Sequence, residues 1–594
     1  MQKVSNAWKS NQTKTLVSES FVEISLGIAD PDSLKDASAQ DNGAIYISNT
    51  PQVVSEVDKA VIPYSTLEQN LWVLDGSREL IPIDNFGDCG YIGDIICNER
   101  GLFERTPTVT VGFTKKHTNP IPAVTITWGK AYGEYAEDFI VTAYNGNEIS
   151  AIEKVQNNSD VMSVVRMDIE EYDRITVEVT RWCVPYRRAR IEEIYIGLNK
   201  VYTKRDLFNY SHSQTVDPLT TSLPKAEISF AVDNSDNTYD PQNPDGLAKY
   251  LMDRQEAKVR YGYKMSDGSI EWLKGGNFYL SEWNASQNGS SADFKARDLL
   301  EFMSSVFYKG IFNENGVSLY ALAEQLLEEA DLPLNDDGSR KWILDEALKD
   351  IKTTAPLPID TIANCLQLIA NAGECVFYQD RNGTLHIEKL NTTVADYEIT
   401  QKNSYSNPEI TISKPIKQIN VTSYHYFEDS ASTELYKGTL NFEGEREIWI
   451  TYSDRAKNAT AVVSGGELKS VDYYTNACRM TIVGQGTVDI VISGTTLKES
   501  KTEVITENAS IGETITLDNP LVTSQARAES IGRWSKDYLS KRTSLALSWR
   551  VDPSIDALDI ITSKGEYSPN NVIMTDVTFE YNGTFRGNGE GKVI

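Results

Sequence analysis

Aromatic and arginine side chains cluster in two stretches of the sequence, and this combination could bind a sugar. Trp128 and Tyr132 lie in the first stretch, and Trp182, Tyr186 and Arg187 lie in the second. An aromatic face stacks on a sugar ring, and a guanidinium donates hydrogen bonds to its hydroxyl groups. These five residues are therefore our candidate glycan contacts. The structural alternative is commoner at strand ends: the tryptophans pack under loops and the arginines pair with acids.

An acidic loop at residues 233–240 offers a second kind of chemistry, because its oxygen atoms could bind calcium. The loop reads DNSDNTYD. It lacks the central glycine and the bidentate glutamate of an EF-hand loop. Asp and Asn side chains in turns also commonly bond to their own backbone. We therefore interpret the loop as a structural turn and predict no metal ligands.

Side chains suited to catalysis are sparse and scattered. The chain has only four histidines, which are His117, His212, His386 and His425. The sequence contains no H-E-x-x-H, G-x-S-x-G or G-x-x-x-x-G-K-[ST] motif. Residues 587–592 (GNGEGK) come nearest to a phosphate loop but lack its spacing, so we interpret them as a glycine-rich terminal turn. We predict no enzyme activity, no catalytic residue and no cofactor.

Charge and composition exclude several further classes of protein. The chain has 57 Lys and Arg against 85 Asp and Glu, a net charge of −28 in 594 residues. This balance argues against the basic surface that nucleic acids and anionic membranes require. No stretch approaches the roughly 20 apolar residues of a membrane span, and the first residues do not resemble a signal peptide. Six dispersed cysteines do not form a disulfide framework. We expect a soluble chain made in the cytoplasm.

Alternation of apolar and polar residues at period two predicts a protein built mainly of antiparallel sheets. Strand candidates begin at residues 21–28, and a polar loop composition follows. Further candidates fill residues 62–197, 200–302 and 408–594. Their spacing in the first of these segments favours a β-sandwich over a barrel enzyme.

Helical signals concentrate in the middle of the chain. Ser318 can cap one amphipathic helix, and Asp360 can cap a second that ends at Gly373. A β-hairpin with Asn-Gly at its bend follows directly. One more helix is predicted at residues 523–541, within the last β segment. The fold class we predict is therefore mainly β with a small α+β part.

The segment at residues 62–197 resembles discoidin-like, galactose-binding jelly-roll domains. The resemblance rests on an early aromatic-x-Leu-Asp-Gly motif at residues 72–76, a central pair of strands and a closing Arg-Ile-x-x-Ile strand at residues 190–194. It covers about a quarter of the chain. The resemblance implies a jelly-roll β-sandwich.

Two other segments resemble the hub proteins at the tail tip, or baseplate, of phages and prophages. Residues 222–303 contain an Asp-Asn-x-x-x-x-x-Asp-Pro loop, a short helix and a W-x-x-G-x-x-F-Y strand, as the first hub domain of that family does. Residues 534–594 resemble the C-terminal end of the same family. The helices and the hairpin occupy the place of its middle domain.

The resemblance to hub proteins implies tandem β-barrel-like domains, with the jelly-roll inserted into the first of them. Residues 21–28 would then belong to the hub domain and not to the jelly-roll. The predicted divisions are an N-terminal arm and hub strand (1–61), the jelly-roll (62–197), the first hub domain (198–315), a helical α+β domain (316–407) and the second hub domain (408–594).

The function implied is that of a structural virion protein, a tail-tip hub in which three copies surround the DNA channel. Its partners would be further copies of itself and the distal tail, tail tube and tape-measure proteins, with DNA only as passing cargo. It would be made in the host bacterial cytoplasm. A negative channel wall is one use for the net charge, and solubility is another.

Two rival functions stay open on the sequence alone. One is a carbohydrate-binding adhesin, in which the jelly-roll contacts a host surface glycan and the other β domains form a stalk. The other is a glycosidase, because two of the many carboxylates could meet in space at about 5 to 10 Å.

Overall fold

The computed structural model describes residues 1–14, 18–54, 63–81, 88–219, 222–287, 289–334, 339–564 and 569–594. The protein is mainly β with a small α part, which confirms the predicted fold class. Among the described residues, no helix is both long and apolar enough to cross a membrane. The predicted boundary at residues 61 and 62 lies outside the described residues.

One sheet of 13 strands, here called the central sheet, brings distant parts of the chain together. A single hydrophobic cluster, which includes Ile24, Tyr261 and Phe579, packs against it. Two strands, Ile560–Lys564 and Val394–Ile399, extend the sheet beside Pro569–Tyr581. The other strands, in pairing order, are Gly197–Tyr202, Ser20–Ala29, Glu256–Lys264, Ile270–Ala285, Ser291–Arg297, Lys225–Asp233, Leu207–Thr215, Pro569–Tyr581, Phe585–Val593, Thr543–Trp549 and Glu409–Ile412.

The strand Ser20–Ala29 lies inside the central sheet. It pairs with Gly197–Tyr202 on one side and with Glu256–Lys264 on the other, both antiparallel. Apolar residues at alternate positions of this strand, such as Val22 and Ile24, are buried in the core of the sheet. The insertion hypothesis requires this pairing, because the chain leaves the sheet after Ala29 and returns to it at Gly197.

The described part of residues 30–196, here called the insert, forms a β-sandwich with its own core. Its first strand, Ser38–Asp41, pairs with Thr108–His117, so the sandwich begins well before the predicted residue 62. One sheet contains, in pairing order, Ser38–Asp41, Thr108–His117, Tyr172–Trp182, Ala136–Asn145 and Glu148–Val155. The other contains Tyr91–Ile96, Arg188–Tyr195, Ile121–Trp128 and Met162–Ile169.

The polar segment that follows Ala29, predicted to be a loop, contains regular structure. Asp30 caps the helix Pro31–Asp36 by accepting a hydrogen bond from the backbone N–H of Asp32. Proline at the first helical position favours this start. The helix is too short to show a hydrophobic period in the sequence, which explains why a loop was predicted.

The described part of residues 298–390, here called the helical module, packs two helices against short strands. The helix Leu319–Glu329 is capped by Ser318, as predicted. The helix Ile362–Ala372 is capped by Thr361 and not by Asp360, which instead accepts hydrogen bonds from the Thr361 N–H and the Asn364 amide. The strands are Val306–Phe307, Val317–Ser318, Trp342–Leu344, Lys352–Thr353, Asp360–Thr361, Val376–Gln379 and Leu385–Glu388.

Residues 413–518, here called the arm, form a separate sheet with very long strands. Its four strands, in pairing order, are Ala456–Tyr473, Ala477–Glu507, Ile416–Thr451 and Glu513–Leu517. Residues near the far end of the arm have a hydrophobic cluster of their own. The helix Gln525–Leu539 packs against the base of the arm and leads back to the central sheet.

Six further short helical segments complete the described secondary structure. The α-helix Asn6–Gln12 lies against the central sheet, where the indole of Trp8 is fully buried. The others are 3-10 helices at Thr50–Val54, Lys130–Tyr132 and Ala248–Tyr250. Two more 3-10 helices lie in the helical module, at Leu299–Met303 and Glu346–Lys349.

The glycine-rich terminus, predicted to be a turn, is instead a strand of the central sheet. Phe585–Val593 pairs with Thr543–Trp549 and Pro569–Tyr581. Gly587, Gly589 and Gly591 alternate along it and face the core. A Cβ at Gly589 would lie 2.5 Å from the carbonyl oxygen of Asp576 and 2.9 Å from Met574 Cε. The glycines therefore occupy every second position of a strand, on the side that faces the core. Because they have no side chains, neighbouring groups can pack close to the backbone there.

We expect Gly589→Ala to destabilise the folded protein by about 1–3 kcal/mol, because the added methyl group overpacks the core. Urea unfolding followed by tryptophan fluorescence measures the change. Asn588→Ala is the matched control, since Asn588 is the exposed neighbour on the same strand, and its effect should stay within about 0.5 kcal/mol. Equal effects of the two variants would contradict the packing role of the glycine.

Candidate functional site

The two tryptophans among the candidate glycan contacts lie in the core of the insert. Trp128 is 0% exposed and Trp182 is 1% exposed. The Trp128 indole donates to Ser163 Oγ at 2.8 Å, and the Trp182 indole donates to Glu134 Oε2 at 3.0 Å. The two rings pack edge to face, 6.2 Å apart. A sugar ring cannot reach either face, so both side chains occupy the places that the structural alternative assigns them.

The other three candidates surround the same end of the sandwich. Arg187 is buried, and its Nε donates to Glu134 Oε1 at 2.8 Å. The Tyr132 hydroxyl accepts from the backbone N–H of Tyr64 at 2.9 Å. Tyr186 is 43% exposed, and its φ of 59° lies in the left-handed region. Of the five candidates, Tyr186 therefore offers the most accessible side chain for a ligand.

A buried ionic network connects these residues to a loop that precedes them in the chain. Arg190, 1% exposed, forms an ion pair with Glu68 and lies 3.6 Å from Glu134 Oε2. The Arg188 backbone N–H donates to Glu68 Oε2 at 2.8 Å. The guanidinium of Arg190 also lies over the Tyr132 ring, 4.3 Å from its centroid. The network satisfies charges that would otherwise be stranded in the core.

The electrostatics of the network follow from this arrangement. Burial lowers the pKa of Arg190, but Glu68, Tyr132 and Glu134 together outweigh burial and raise that pKa overall. Burial also raises the pKa of the neighbouring Glu192 carboxyl. The ion pairs and hydrogen bonds of Glu68 therefore hold residues 63–81 against the sandwich. Sequence reasoning missed Glu68 and Glu134, since nothing local distinguishes them from other acids.

The loop held by Glu68 presents apolar side chains to solvent. Leu67 is 87% exposed, Leu74 is 63% exposed and Trp72 is 53% exposed. Ser65 and the backbone of Val73 close the loop by a hydrogen bond. The aromatic-x-Leu-Asp-Gly motif of the sequence therefore lies on an anchored surface loop.

The acidic loop at residues 233–240 uses its side chains to close turns. Asp233 accepts from the Ser235 N–H at 3.0 Å, and Asn234 accepts from the Tyr239 N–H at 2.8 Å. Asp236 accepts from the Thr238 N–H at 3.0 Å. Within the described ranges, no three His, Cys, Asp or Glu side chains come together so as to hold a metal ion.

One face of the central sheet is built from small polar side chains. Ser211, Ser213 and Thr215 alternate with buried His212 and Gln214 along one strand. They lie opposite Glu580, Thr578 and Asp576 of the next strand. The row then continues through Asn588 to Ser548. We call this surface, residues 211, 213, 215, 548, 576, 578, 580 and 588, the polar face.

Charged side chains beside the polar face are paired with one another. Glu227 lies 3.3 Å from Lys225 and 3.6 Å from Arg297, and Glu282 lies 3.1 Å from Lys295. These pairs extend across the strands adjacent to Leu207–Thr215. The surface therefore combines neutral groups and paired charges with the two carboxylates of Asp576 and Glu580.

No protein-family model matches the chain, and no curated protein matches it either. Among solved structures, it is similar to the 43 kDa tail protein of prophage MuSo2 from Shewanella oneidensis, at 13% identity and a TM-score of 0.39, over 66% of this chain and 95% of that one. It is also similar to a tail protein from Neisseria meningitidis MC58, at 9% identity and a TM-score of 0.39, over 67% and 94%. A third similar structure is prophage tail protein gp18 from Listeria monocytogenes EGD-e, at 9% identity and a TM-score of 0.36, over 67% and 92%.

Proposed function

We propose that the protein is a structural component of a phage or prophage-derived virion, the central hub of the tail tip. In this proposal three copies form a ring around the DNA channel and link the tail tube to the host-facing tip. The proposal starts from the resemblance of residues 222–303 and 534–594 to hub proteins. It assigns the chain a mechanical role, without enzymatic chemistry.

The observation that carries the proposal is that these two distant segments share one sheet. The strand Leu207–Thr215 joins them, because it pairs with Lys225–Asp233 of the first segment and with Pro569–Tyr581 of the second. The second pairing runs over six consecutive residue pairs, from Tyr210 opposite Tyr581 to Thr215 opposite Asp576. The N-terminal strand Ser20–Ala29 joins the same sheet. A hub that surrounds a channel needs a continuous wall, and a shared sheet supplies one from both segments. An adhesin stalk of independent domains does not require such pairing.

The polar face suits a channel through which DNA must move. Serine, threonine and asparagine side chains offer little apolar area to stack on bases, and compensated charges hold phosphates weakly. About 6 to 10 unpaired cations on such a wall would retain DNA by counterion release. We therefore assign the polar face to the lumen of the ring. DNA is passing cargo in this proposal.

The partners follow from the position proposed for the ring. They are two further copies of the chain, the distal tail protein, the tail tube and the tape-measure protein. The place of action is the tail tip of the virion, after synthesis in the cytoplasm of the host bacterium. The insert would lie at the periphery, where it contacts other tail proteins.

Electron cryomicroscopy of the tail end of the assembled particle tests the proposal directly. We expect this chain as a closed threefold ring on the tail axis, with Ser213 and Thr578 facing the channel. A chain fitted as a peripheral spike would contradict the hub role. So would a ring with the polar face turned away from the axis.

A second role, contact with a host surface glycan, is favoured by the backbone of Tyr186. A bulky residue with φ of 59° is strained, and such strain concentrates at functional sites. The Tyr186 side chain is also the most accessible of the five candidate glycan contacts. Glycan-array binding by the whole protein should disappear in Tyr186→Ala if this role holds. The glycan-binding role is contradicted if the wild type does not bind glycans, or if the variant binds them as the wild type does.

A further inference from the structure

We infer that a basic and aromatic patch at one end of the central sheet binds a second copy of this chain. The patch consists of Phe21, Lys204, Arg205, Arg260 and Trp272. Four of these residues, all but Arg260, line a cleft of about 320 Å³ together with three of their neighbours. The inference rests on the ring proposed above and names one of the surfaces through which the ring would close.

The aromatic part of the patch depends on a glycine in the neighbouring strand. Gly262 lies directly opposite Trp272 in the sheet. A Cβ at Gly262 would lie 3.0 Å from carbon atoms of the indole, so the ring covers the backbone where a side chain would otherwise stand. Phe21 lies beside the Trp272 indole, with the two ring centroids 6.2 Å apart. The sheet therefore holds two aromatic rings together on its outer surface.

Cations flank both rings. The Arg260 guanidinium lies over Trp272, 4.3 Å from the ring centroid, and Lys204 Nζ lies 4.9 Å from the centroid of Phe21. Arg260 also pairs with Glu23 at 2.5 Å, and Lys204 pairs with Glu19, so both cations are held in place by acids. Tryptophan and arginine in a cleft are the residue types that dominate binding energy at protein interfaces. The patch has the composition of a binding surface.

The charge of the patch indicates which partner it fits. Arg205 is exposed at its rim, and Lys264 is exposed at the end of the neighbouring strand. The chain as a whole has a net charge of −28, so another copy has an excess of acidic groups. A basic patch on an acidic protein attracts other copies of the same protein and orients them.

The position of the patch also suits assembly into a ring. It lies beside Gly197–Tyr202, the last strand at its end of the central sheet within the described residues. Val201 of that strand is 47% exposed. A ring needs two different surfaces on each copy, so that each surface binds the other surface of the next copy. The patch supplies one of them at a sheet edge that still has backbone groups to pair.

Sedimentation velocity of the purified full-length chain tests the inference. We expect the wild type to form trimers at 50 mM NaCl and to dissociate at 500 mM NaCl, because screening weakens contacts between charges. Trp272→Ala and Arg205→Glu should each weaken self-association at least 10-fold. The matched controls are Trp283→Ala, a half-exposed tryptophan on the same strand, and Arg166→Glu, an exposed arginine of the insert. Circular dichroism confirms that each variant is folded.

Each outcome of this experiment is decisive for the patch. A wild type that stays monomeric at 50 µM overturns the inference, as do folded patch variants that associate like the wild type. The hub role has a separate test. If the chain forms a ring on the tail axis with Trp272 facing solvent, the hub role is supported and the inference about the patch is contradicted. If the chain self-associates through the patch but lies off the tail axis, the inference about the patch stands and the hub role is contradicted.

Discussion

Replacing Arg190 by methionine should destabilise the insert by about 3–5 kcal/mol, the largest effect on stability that we expect from a single side chain. The variant leaves the Glu68 carboxylate buried without its principal cation, and a buried charge without a partner is costly. Calorimetry should show the melting transition of the insert lowered by about 10 °C. The transition of the central sheet should move little, since its core is separate.

A double variant separates loss of the ion pair from general damage to the core. Glu68→Met combined with Arg190→Met removes both charges, so it should recover at least half of the stability lost in the single variant. Arg174→Met is the matched control, because Arg174 stacks on Tyr144 at the surface of the same sandwich. If the double variant is less stable than the single one, the ionic network is not what holds residues 63–81.

Tryptophan substitutions on the polar face should abolish DNA passage while leaving assembly intact. Ser213 and Thr578 lie opposite one another in the central sheet. Ser213→Trp together with Thr578→Trp would place two indole rings per copy, and six per ring, in the proposed lumen. We expect infectivity to fall at least 100-fold, with particles of normal composition by mass spectrometry. DNA release in vitro should fall in parallel.

The control for this prediction is Ser150→Trp. Ser150 is exposed on Glu148–Val155, at the edge of the insert and away from the central sheet. That variant should infect normally. Normal DNA release by assembled particles with the polar-face variant would show that the polar face does not line the channel. Particles that fail to assemble call for Ser213→Gln and Thr578→Gln, which narrow the lumen less and should reduce release in proportion.

Local features of the sequence predicted several elements correctly. Ser318 caps its helix as expected, because one side chain and one backbone N–H three residues later suffice for the cap. The Asn-Gly bend fixes the hairpin between Val376–Gln379 and Leu385–Glu388 for the same reason. Alternating apolar residues likewise mark the strands of the insert, where one face is buried.

The candidate glycan contacts show what neighbouring residues in the sequence cannot predict, namely which side chains are buried. The sequence placed Trp182 and Arg187 together, and the structure does so too. However, it buries both against Glu134, an acid that is 48 positions away from Trp182. Burial of an aromatic residue depends on what covers it. Here residues 63–81, held by Glu68, contact Arg187 through Gln69 and Tyr132 through Tyr64, and no pattern in the sequence indicates those contacts.

The amino-acid sequence by itself determined the β-rich class, the Ser318 helix cap, the hairpin and the absence of common catalytic motifs, because each depends on side chains within a few residues of one another. Only the tertiary structure decided that Leu207–Thr215 pairs with Pro569–Tyr581, that Gly587, Gly589 and Gly591 form a strand, and that Gly262 makes room for Trp272. Period two tells which face of a strand is apolar but not which strand lies beside it. That choice depends on the summed burial and pairing of residues hundreds of positions apart.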